Sequence, residues 1–465
     1  MIKKYGVILS IFLAVLSFVF FVCYFLSFKE IGSMMYWIFP IKLIFIFILI
    51  VIYALPIVLL FIFNKNRHKK YLKKIIFILM IIGFIINMSI IYILVSNQAN
   101  LTKPILLISD EVGINGISNL AIVLYTPKAM VLSLNFTNLN SNESAILYDK
   151  SPIRKHIFTI KDLMYNTSYS YYIINYSYES EVFRTPTSNT SLKISFSSDF
   201  HFGDKNTNAE TDLNILRYIS HNSNFFIFGG DLTDWGFVSS NLINYINSAS
   251  DSISKVPSVY IMGNHDSMFG GENYFYRYLT VYKNLKEIKN KKLYAEYCDH
   301  YKLNNFTDLI TLDLEWGKGE NFDNQLKCLD SVLPNISKDD WVIVATHSFF
   351  YSSGSKLFNK YWADQDSSFT SLFQSRFVNN GVDFVLSGHN HQLEILDNSG
   401  VNYIIAGGSG SKKEDAPQKS GLGSEWISYT ESGFVDLDIV NESSAVITFR
   451  DSNGNELYNK TVVNH

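Results

Sequence analysis

Hydrophobic and polar positions divide this 465-residue chain into three regions of different character. The first region, residues 1–98, contains three long apolar stretches, at about 5–28, 36–63 and 75–95. Each stretch reaches the roughly 20 residues that an α-helix needs to cross the apolar core of a bilayer. We therefore expect three transmembrane helices here, with the lipid bilayer as a partner of the chain.

Basic residues in the short loops predict how these helices are oriented. Two lysines precede the first stretch, and six lysines or arginines lie between the second and the third. Positive charge of this kind collects on the cytoplasmic side of a membrane. We expect a multi-pass protein of the cell membrane with a cytoplasmic N-terminus, and an extracytoplasmic location for everything after Val95.

The second region, residues 99–189, has a different pattern. It is rich in Tyr, Thr, Ser, Asn and Ile, and its apolar residues alternate with polar ones in short stretches such as 121–125, 131–136 and 169–174. Alternation of this kind, interrupted by polar turns, is typical of strands that bury one face. It predicts a small β-sandwich, and a generic all-β spacer is the alternative.

The third region, residues 190–465, contains short apolar runs that each end in a turn with Gly, Ser or Thr. The runs cover residues 194–196, 225–228, 259–262, 342–345 and 384–386. Such runs are typical of buried parallel strands. Amphipathic helices are predicted at 322–333 and 366–380, so that helices and strands alternate. This alternation predicts a layered α/β/α sandwich.

Potential metal ligands follow these predicted strands. They are Asp199, His201, Asp231, Asn264, His347, His389 and His391. Side chains at the carboxyl ends of strands in an open α/β sheet converge on one crevice. Imidazole and carboxylate without thiolate suit divalent Mn, Fe or Zn. Seven ligands are too many for one ion, but they suit two ions that share a carboxylate and hydrolyse a phosphoester.

Five short motifs carry a resemblance to a known family. They are Asp199-Phe-His201, Gly230-Asp231-Leu-Thr-Asp234, Gly263-Asn264-His265-Asp266, Thr346-His347 and Gly388-His389-Asn390-His391. In this order they resemble the calcineurin-like metallophosphoesterase superfamily, which implies a four-layer catalytic sandwich. The resemblance assigns the first metal to Asp199, His201, Asp231 and His391. It assigns the second metal to Asp231, Asn264, His347 and His389, so that Asp231 bridges the two.

The same resemblance implies the catalytic residues. His265 would protonate the leaving oxygen or stabilise the phosphoryl charge, and Asp266 would orient His265. The implied reaction is hydrolysis of phosphate mono- or diesters by a metal-activated hydroxide. The alternative is a membrane sensor or adhesion protein that keeps a degenerate, non-catalytic phosphatase fold.

The region before the catalytic domain resembles part of another group. Residues 157–171 are similar to a fibronectin type III strand-loop-strand with its tyrosine corner. A similar sandwich precedes the catalytic domain in purple acid phosphatases. Asp234, however, stands where those enzymes carry a tyrosine metal ligand. This departure is closer to cyclic-nucleotide phosphodiesterases and other colourless members.

Composition argues against one class of function, and the sequence does not decide whether two cysteines form a disulfide. A net charge of −3 argues against a nucleic-acid-binding protein. His156 fits no motif and is expected on the surface. Cys298 and Cys328 both lie in the region expected outside the cell, and sequence leaves open whether they form a disulfide.

Overall fold

The structure is a computed structural model, and it describes most of the chain after residue 101. The described residues are 102–109, 119–174, 176, 178, 180–186, 191–268, 271–281, 298–314, 322–354, 356–357, 360–361, 367–413, 415–417 and 419–464. They fall within one compact unit, Ala99–His465.

The predicted fold class needs a correction. Among the described residues, no helix is long and apolar enough to cross a membrane. The longest described helix, Ser239–Ile253, has 15 residues and is therefore shorter than the roughly 20 that a crossing requires. The stretches 5–28, 36–63 and 75–95 lie outside the described residues. Three transmembrane helices are not supported, and the described fold is a mostly-sheet α/β architecture.

The described residues before residue 190 form seven strands. They are β1 (Ile105–Ile108), β2 (Leu120–Met130), β3 (Ser133–Asn138), β4 (Ser144–Tyr148), β5 (Ile153–Ile160), β6 (Ser168–Ile174) and β7 (Glu181–Arg184). Strands β1, β2 and β5 pair antiparallel, and a separate sheet has the order β4-β3-β6-β7. Ile122 of β2 and Tyr171 of β6 belong to one buried cluster, so the two layers share a core.

A tyrosine fixes the loop before β6. The Tyr169 hydroxyl accepts a hydrogen bond from the backbone N–H of Met164 at 2.9 Å. This bond back to an upstream backbone group is what a tyrosine corner provides. The assignment of the sandwich to the fibronectin type III class stays a prediction.

The remainder of the described chain alternates strands and helices. The strands are β8 (Leu192–Ser197), β9 (Phe225–Phe228), β10 (Ser258–Tyr260), β11 (Cys298–Asn304), β12 (Thr307–Leu312), β13 (Trp341–Ala345), β14 (Lys356–Leu357), β15 (Lys360–Tyr361), β16 (Phe384–Ser387), β17 (Leu393–Asn398), β18 (Val401–Ala406), β19 (Ser424–Ser428), β20 (Gly433–Asn441), β21 (Ser444–Asp451) and β22 (Glu456–Val463). The helices are α1 (Ala209–Asn222), α2 (Ser239–Ile253), α3 (Asn264–Ser267), α4 (Glu272–Leu279), α5 (Phe322–Val332) and α6 (Ser367–Asn379), with a 3-10 turn at Leu333–Asn335. Helices α5 and α6 confirm the two amphipathic helices predicted from sequence.

Two large sheets organise these strands. One has nine strands in the order β22-β21-β20-β8-β9-β10-β1-β2-β5, and the other has seven in the order β11-β12-β13-β16-β18-β17-β19. Strands β8, β9, β10 and β1 run parallel, as do β12, β13, β16 and β18. Because β1 pairs with β10, strands from both sides of the boundary predicted near residue 189 share a sheet. The boundary itself stays a prediction.

The two sheets pack face to face, and helices cover their outer faces. Ile227 of β9 and Ile343 of β13 belong to the core between the sheets. Phe226 packs with α1, α2 and α4, whereas Val385 packs with α5 and α6. Strand side chains alternate between two faces, and here both faces are apolar because both are covered. The layers therefore run helix, sheet, sheet, helix.

A disulfide joins one of the sheets to the helix layer that covers it. Cys298 at the start of β11 bonds to Cys328 of α5, with Cα atoms 6.0 Å apart. Both cysteines are buried. The pairing that sequence left open is present.

Candidate metal centre

The predicted ligands lie where parallel strands of the two sheets end. Asp199 and His201 follow β8, and Asp231 follows β9. Asn264 comes shortly after β10, His347 after β13, and His389 and His391 after β16. Because these ends lie at one edge of each sheet and the sheets face each other, the side chains converge. The structure brings all seven together.

Tight turns carry several of these ligands. Asp199, His201, Asp231 and His389 adopt left-handed backbone, with φ of 63°, 46°, 49° and 67°. Asp and His adopt this conformation more often than most residues, but it still costs free energy. Gly230, with φ of 99°, is required for a second reason, since a Cβ there would lie 2.7 Å from His347 Nδ1. The turns place ligand side chains and backbone in close contact.

The first group of ligands consists of Asp199, His201 and His391. The Nε2 atoms of the two histidines lie 3.2 Å apart. Asp199 Oδ1 lies 3.8 Å from His201 Nε2 and 3.4 Å from His391 Nε2. This oxygen is buried and accepts no hydrogen bond from the described residues, whereas Oδ2 accepts one from the backbone of His389 at 2.8 Å. A buried carboxylate oxygen that faces two imidazole nitrogens fits a divalent cation.

The second group consists of Asn264, His347, His389 and Asp231. The Asn264 side-chain oxygen lies 3.0 Å from His347 Nε2 and 2.9 Å from His389 Nδ1. Asp231 Oδ2 lies 3.4 Å from His347 Nε2 and 3.5 Å from His201 Nε2. One oxygen of Asp231 therefore faces both groups, which is the position that a bridging ligand requires.

Backbone carbonyls fix which nitrogen of two histidines faces the centre. His347 Nδ1 donates to the carbonyl of Gly229 at 2.8 Å, and His391 Nδ1 donates to the carbonyl of Lys412 at 2.7 Å. A carbonyl can only accept, so each Nδ1 carries its proton there. In the neutral rings Nε2 is then left with its lone pair toward the other ligands, as is usual for metal-binding histidines.

The charges of the cluster also favour cations. Burial alone raises the pKa of Asp231, but nearby His347 and His265 outweigh it and hold that pKa well below its usual value. Burial lowers the pKa of His347, but Asp231 outweighs it and raises the pKa to about 9. The pKa of His389 is lowered, by burial first and by His347 second. In the metal-free protein the His347 ring is therefore protonated near neutral pH, and it must lose that proton to bind a metal ion.

His265 lies at the edge of the cluster. Its side chain is 30% exposed, and its backbone N–H donates to Asp231 Oδ1 at 2.8 Å. Its Nδ1 donates to the carbonyl of Asp234 at 2.8 Å, and its ring centroid lies 4.5 Å from that of His201. Because Nδ1 makes this hydrogen bond, Nε2 is the nitrogen that could exchange a proton with a molecule in the cleft.

Asp266, which was predicted to orient His265, has other contacts in the structure. Its carboxylate accepts backbone hydrogen bonds from Leu232 at 3.2 Å and from Thr233 and Gly263 at 3.1 Å each. Burial and the charge of Asp231 raise its pKa to about 6. Its carboxylate caps the short helix α3 and holds the turn after Asp231.

Asp234, rather than Asp266, has its carboxylate beside the His265 ring. Its Oδ1 lies 3.4 Å from His265 Nδ1 and 3.6 Å from His201 Nδ1. Burial alone raises the pKa of Asp234, but hydrogen bonding to His201 and His265 lowers it well below its usual value. Asp234 therefore contacts both a predicted ligand and the predicted acid.

A separate buried group around a single histidine lies in the β-sandwich, and it was not predicted from sequence. His156 is fully buried, so the expectation that it lies on the surface is wrong. Its Nδ1 lies 2.7 Å from Asp149 Oδ2, and its Nε2 lies 2.9 Å from Thr126 Oγ1. The signal was present, because His156 has the same period-two phase as the buried Phe158 and Ile160 of β5.

Comparison with known proteins agrees with the geometry of the catalytic region. Residues 192–393 match the model of the family described as Calcineurin-like phosphoesterase. The purple acid phosphatase PPD1 from yellow lupin (Lupinus luteus) seeds has a similar structure with a TM-score of 0.59. It is 16% identical, and the match covers 77% of this chain and 74% of that one. At this identity the likeness shows the fold alone.

A second similar structure is GAP50, described as the anchor in the inner membrane complex of Plasmodium. It is 16% identical with a TM-score of 0.44, and the match covers 59% of this chain and 90% of that one. At this TM-score the likeness carries no argument. The family match and the phosphatase fold support a metal-dependent phosphoester hydrolase, which confirms the predicted class of enzyme. The fold implies divalent metal ions.

Proposed function

We propose that this chain hydrolyses phosphate mono- or diesters at a centre of two divalent ions, with Mn, Fe or Zn as candidates. Asp199, His201, Asp231 and His391 would hold the first ion. Asp231, Asn264, His347 and His389 would hold the second. The observation that carries the proposal is that Asp231 Oδ2 faces both groups while Asp199 Oδ1, buried beside them, accepts no hydrogen bond from described residues.

Two ions held by these residues would lower the pKa of a water molecule and would stabilise charge on the attacking and leaving oxygens. The protein contributes orientation. The carbonyls of Gly229 and Lys412 fix the rings of His347 and His391, and Asp266 holds the turn after Asp231. Because these contacts exist before substrate arrives, little reorganisation is needed during the reaction.

His265 supplies the proton for the leaving oxygen in this proposal. Burial lowers its pKa, but the charge of Asp231 and the hydrogen bond to Asp234 outweigh burial and raise the pKa above the usual value. In the metal-free protein this raised pKa favours the protonated ring, which is the form that a general acid requires. Its partial exposure leaves room for a substrate beside Nε2.

The direct test is an assay of the purified protein after removal of metal and reloading with Mn, Zn or Fe. We expect metal-dependent release of p-nitrophenol from p-nitrophenyl phosphate or from its bis-ester. The metal-free protein is the control. Binding of two metal equivalents without hydrolysis of either ester would contradict the proposed activity, and would favour the sensor or adhesion function.

We also propose an extracytoplasmic location. The support is the disulfide between Cys298 and Cys328, because such bonds persist mainly in oxidising compartments. Alkylation of thiols in cells lysed directly in denaturant, which exposes both buried cysteines, followed by reduction and a second label, would test it. Both cysteines should carry only the second label, and first-label modification of both would contradict this location.

A further inference from the structure

A buried carboxylate lies next to the proposed metal centre without belonging to it. Glu394 of β17 is 0% exposed. Its Oε1 accepts hydrogen bonds from the hydroxyls of Ser353 at 2.5 Å and Ser424 at 2.6 Å. Its Oε2 accepts from the backbone N–H of Ser353 at 2.8 Å and from Gln392 Nε2 at 2.7 Å. Both oxygens are therefore saturated by neutral donors.

Such an arrangement is unusual for a buried charge. Its described hydrogen-bond partners include no Lys, Arg or His. Burial raises the pKa of the Glu394 carboxyl, while the donors from Ser353, Ser424 and Gln392 oppose that rise. Burial of a carboxylate is costly unless several hydrogen bonds compensate for lost water. A network of this kind fixes the segments that supply the donors.

The donors come from segments that carry metal ligands. Ser352 and Ser353 lie a few residues after His347 in the chain. Gln392 Nε2 also donates to Ser352 Oγ at 3.1 Å and to the carbonyl of Ser353 at 3.0 Å. Asn390 Nδ2 donates to Ser352 Oγ and, at 3.3 Å, to the carbonyl of Ser353.

Asn390 is the residue between His389 and His391. One of these histidines belongs to each proposed metal group. We call Glu394, Ser352, Ser353, Asn390, Gln392 and Ser424 the Glu394 network. It joins the turn that carries His389 and His391 to the segment that follows His347. The same buried contacts thus join the segments that carry three ligands of the two metal groups.

We propose that Glu394 is a positioning residue for both metal sites. It touches no proposed ligand side chain in the described contacts and acts through Ser352, Ser353 and Gln392. The proposal rests on the proposed metal centre. Partners one shell outside a metal typically contribute roughly 10–100-fold to metal affinity, because they hold ligands in a binding geometry.

The test is Glu394→Gln, which preserves shape but replaces an acceptor oxygen with an amide NH₂. With its NH₂ at the Oε2 position the amide opposes the backbone N–H of Ser353, and at the Oε1 position it forces the hydroxyls of Ser353 and Ser424 to change from donors to acceptors. We expect the affinity of the metal-free protein for Mn²⁺ or Zn²⁺ to fall by roughly 10–100-fold at both sites. Titration against a chelating dye measures this without any assay of hydrolysis.

Glu425→Gln is the matched control. Glu425 undergoes the same chemical change in β19, but it is 35% exposed and pairs with Lys460 at 3.0 Å at the surface. The metal affinity of the Glu425→Gln protein should equal that of the unaltered protein. Circular dichroism of the metal-free variants checks the fold. If Glu394→Gln does not fold, Gln392→Met removes one donor to Glu394 and should weaken metal binding in the same direction.

The outcomes separate this proposal from the proposed function. A folded Glu394→Gln protein that binds both metals with normal affinity, even with a lower melting temperature, overturns the positioning role. Normal affinity in folded Gln392→Met does the same where the first variant is unfolded. If the unaltered protein binds two metals but hydrolyses neither ester, the proposed hydrolysis is contradicted, whereas the metal titration still tests the role of Glu394. An unaltered protein that binds no metal overturns both.

Discussion

Two buried clusters of imidazole and carboxylate in this chain lead to opposite conclusions. In the sandwich, both ring nitrogens of His156 have a partner, Asp149 on one side and Thr126 on the other. In the cleft, the Nε2 atoms of His201 and His391 face each other at 3.2 Å. The first arrangement satisfies its polar groups, whereas the second brings like atoms together. The pairing of each nitrogen, rather than the number of histidines, distinguishes a structural cluster from a ligand site.

The energetic consequences differ as well. A buried polar group with its hydrogen bonds made contributes modestly to stability, and losing the partner costs more than the bond contributes. A buried acceptor such as Asp199 Oδ1, which accepts no hydrogen bond from the described residues, is unfavourable until a proton or a metal ion lies beside it. Substitutions in the cleft should therefore affect metal binding and catalysis, and substitutions at His156 should affect stability.

The largest effect is expected from Asp231→Asn. Replacement of the carboxylate whose Oδ2 faces both groups should weaken both sites by more than the roughly 10–100-fold expected for a residue outside the ligand shell. Hydrolysis should become undetectable. Metal content by mass spectrometry and turnover of a chromogenic ester measure the two effects. Near-normal values of both would refute the bridging assignment.

His265→Asn should give the next largest effect. Asparagine can retain the donor to the Asp234 carbonyl that Nδ1 now provides, but it lacks the atom that would protonate the substrate. We expect the rate to fall by roughly 10²–10⁴-fold while two metals stay bound. The loss should be smaller for esters with very good leaving groups. An equal loss across leaving groups would argue against proton donation.

His156→Leu should affect only stability. The substitution removes the partner of Asp149 and Thr126 in a fully buried position, so we expect a loss of about 2–4 kcal/mol in the free energy of unfolding. Urea unfolding of the metal-free protein measures it. Metal affinity and turnover of the folded protein should be unchanged. A change in either would mean that the two clusters are coupled.

The smallest expected effect is a proton released on metal binding. In the metal-free protein the pKa of His347 is raised to about 9, so the ring is protonated near pH 7 and must lose its proton to bind metal. Burial lowers the pKa of His201, but hydrogen bonding to Asp199 and Asp234 outweighs burial and raises that pKa well above its usual value, so His201 adds to the release. Calorimetry at pH 7 in buffers with different ionisation enthalpies should therefore show release of roughly one to two protons. The part that His347 contributes should disappear as the pH rises through about 9.

His347 also makes the stability of the metal-free protein depend on pH. A histidine whose pKa is raised by folding contributes stability that is fully present below its usual pKa of 6.5. That contribution is lost as the pH rises toward 9. Urea unfolding at several pH values should show this decline, and the decline should be smaller in His347→Gln. A flat profile in the unaltered protein would contradict the raised pKa.

The ligand cluster could be predicted from sequence because two simple rules combine there. Apolar runs such as residues 225–228 mark buried strands, and parallel strands bring their carboxyl ends together. The roles of Asp234 and Asp266 could not be predicted, because the direction of each side chain depends on the turn it occupies. In the structure Asp234 contacts His265, and Asp266 caps the backbone.

Long-range pairing was also beyond the sequence pattern. Strand β1 is apolar at all four positions, and nothing in its sequence says that Leu107 pairs with Ser258 in another part of the chain. Glu394 left a weaker signal, a charged residue within an otherwise apolar run. Hydropathy alone suggested three transmembrane helices, which the described part of the structure does not support. The hydrophobic pattern identifies individual helices and strands, whereas the pairing of distant strands is seen only in the structure.

The left-handed backbone at the metal ligands has a consequence for protein engineering. Asp199, His201, Asp231 and His389 each hold a conformation that glycine adopts at lower cost, by about 1–3 kcal/mol per residue. A procedure that selects substitutions for thermal stability alone would therefore favour glycine at these four positions. The resulting protein would be more stable but would lack four of the proposed metal ligands. Stability optimisation of this chain should hold these residues fixed.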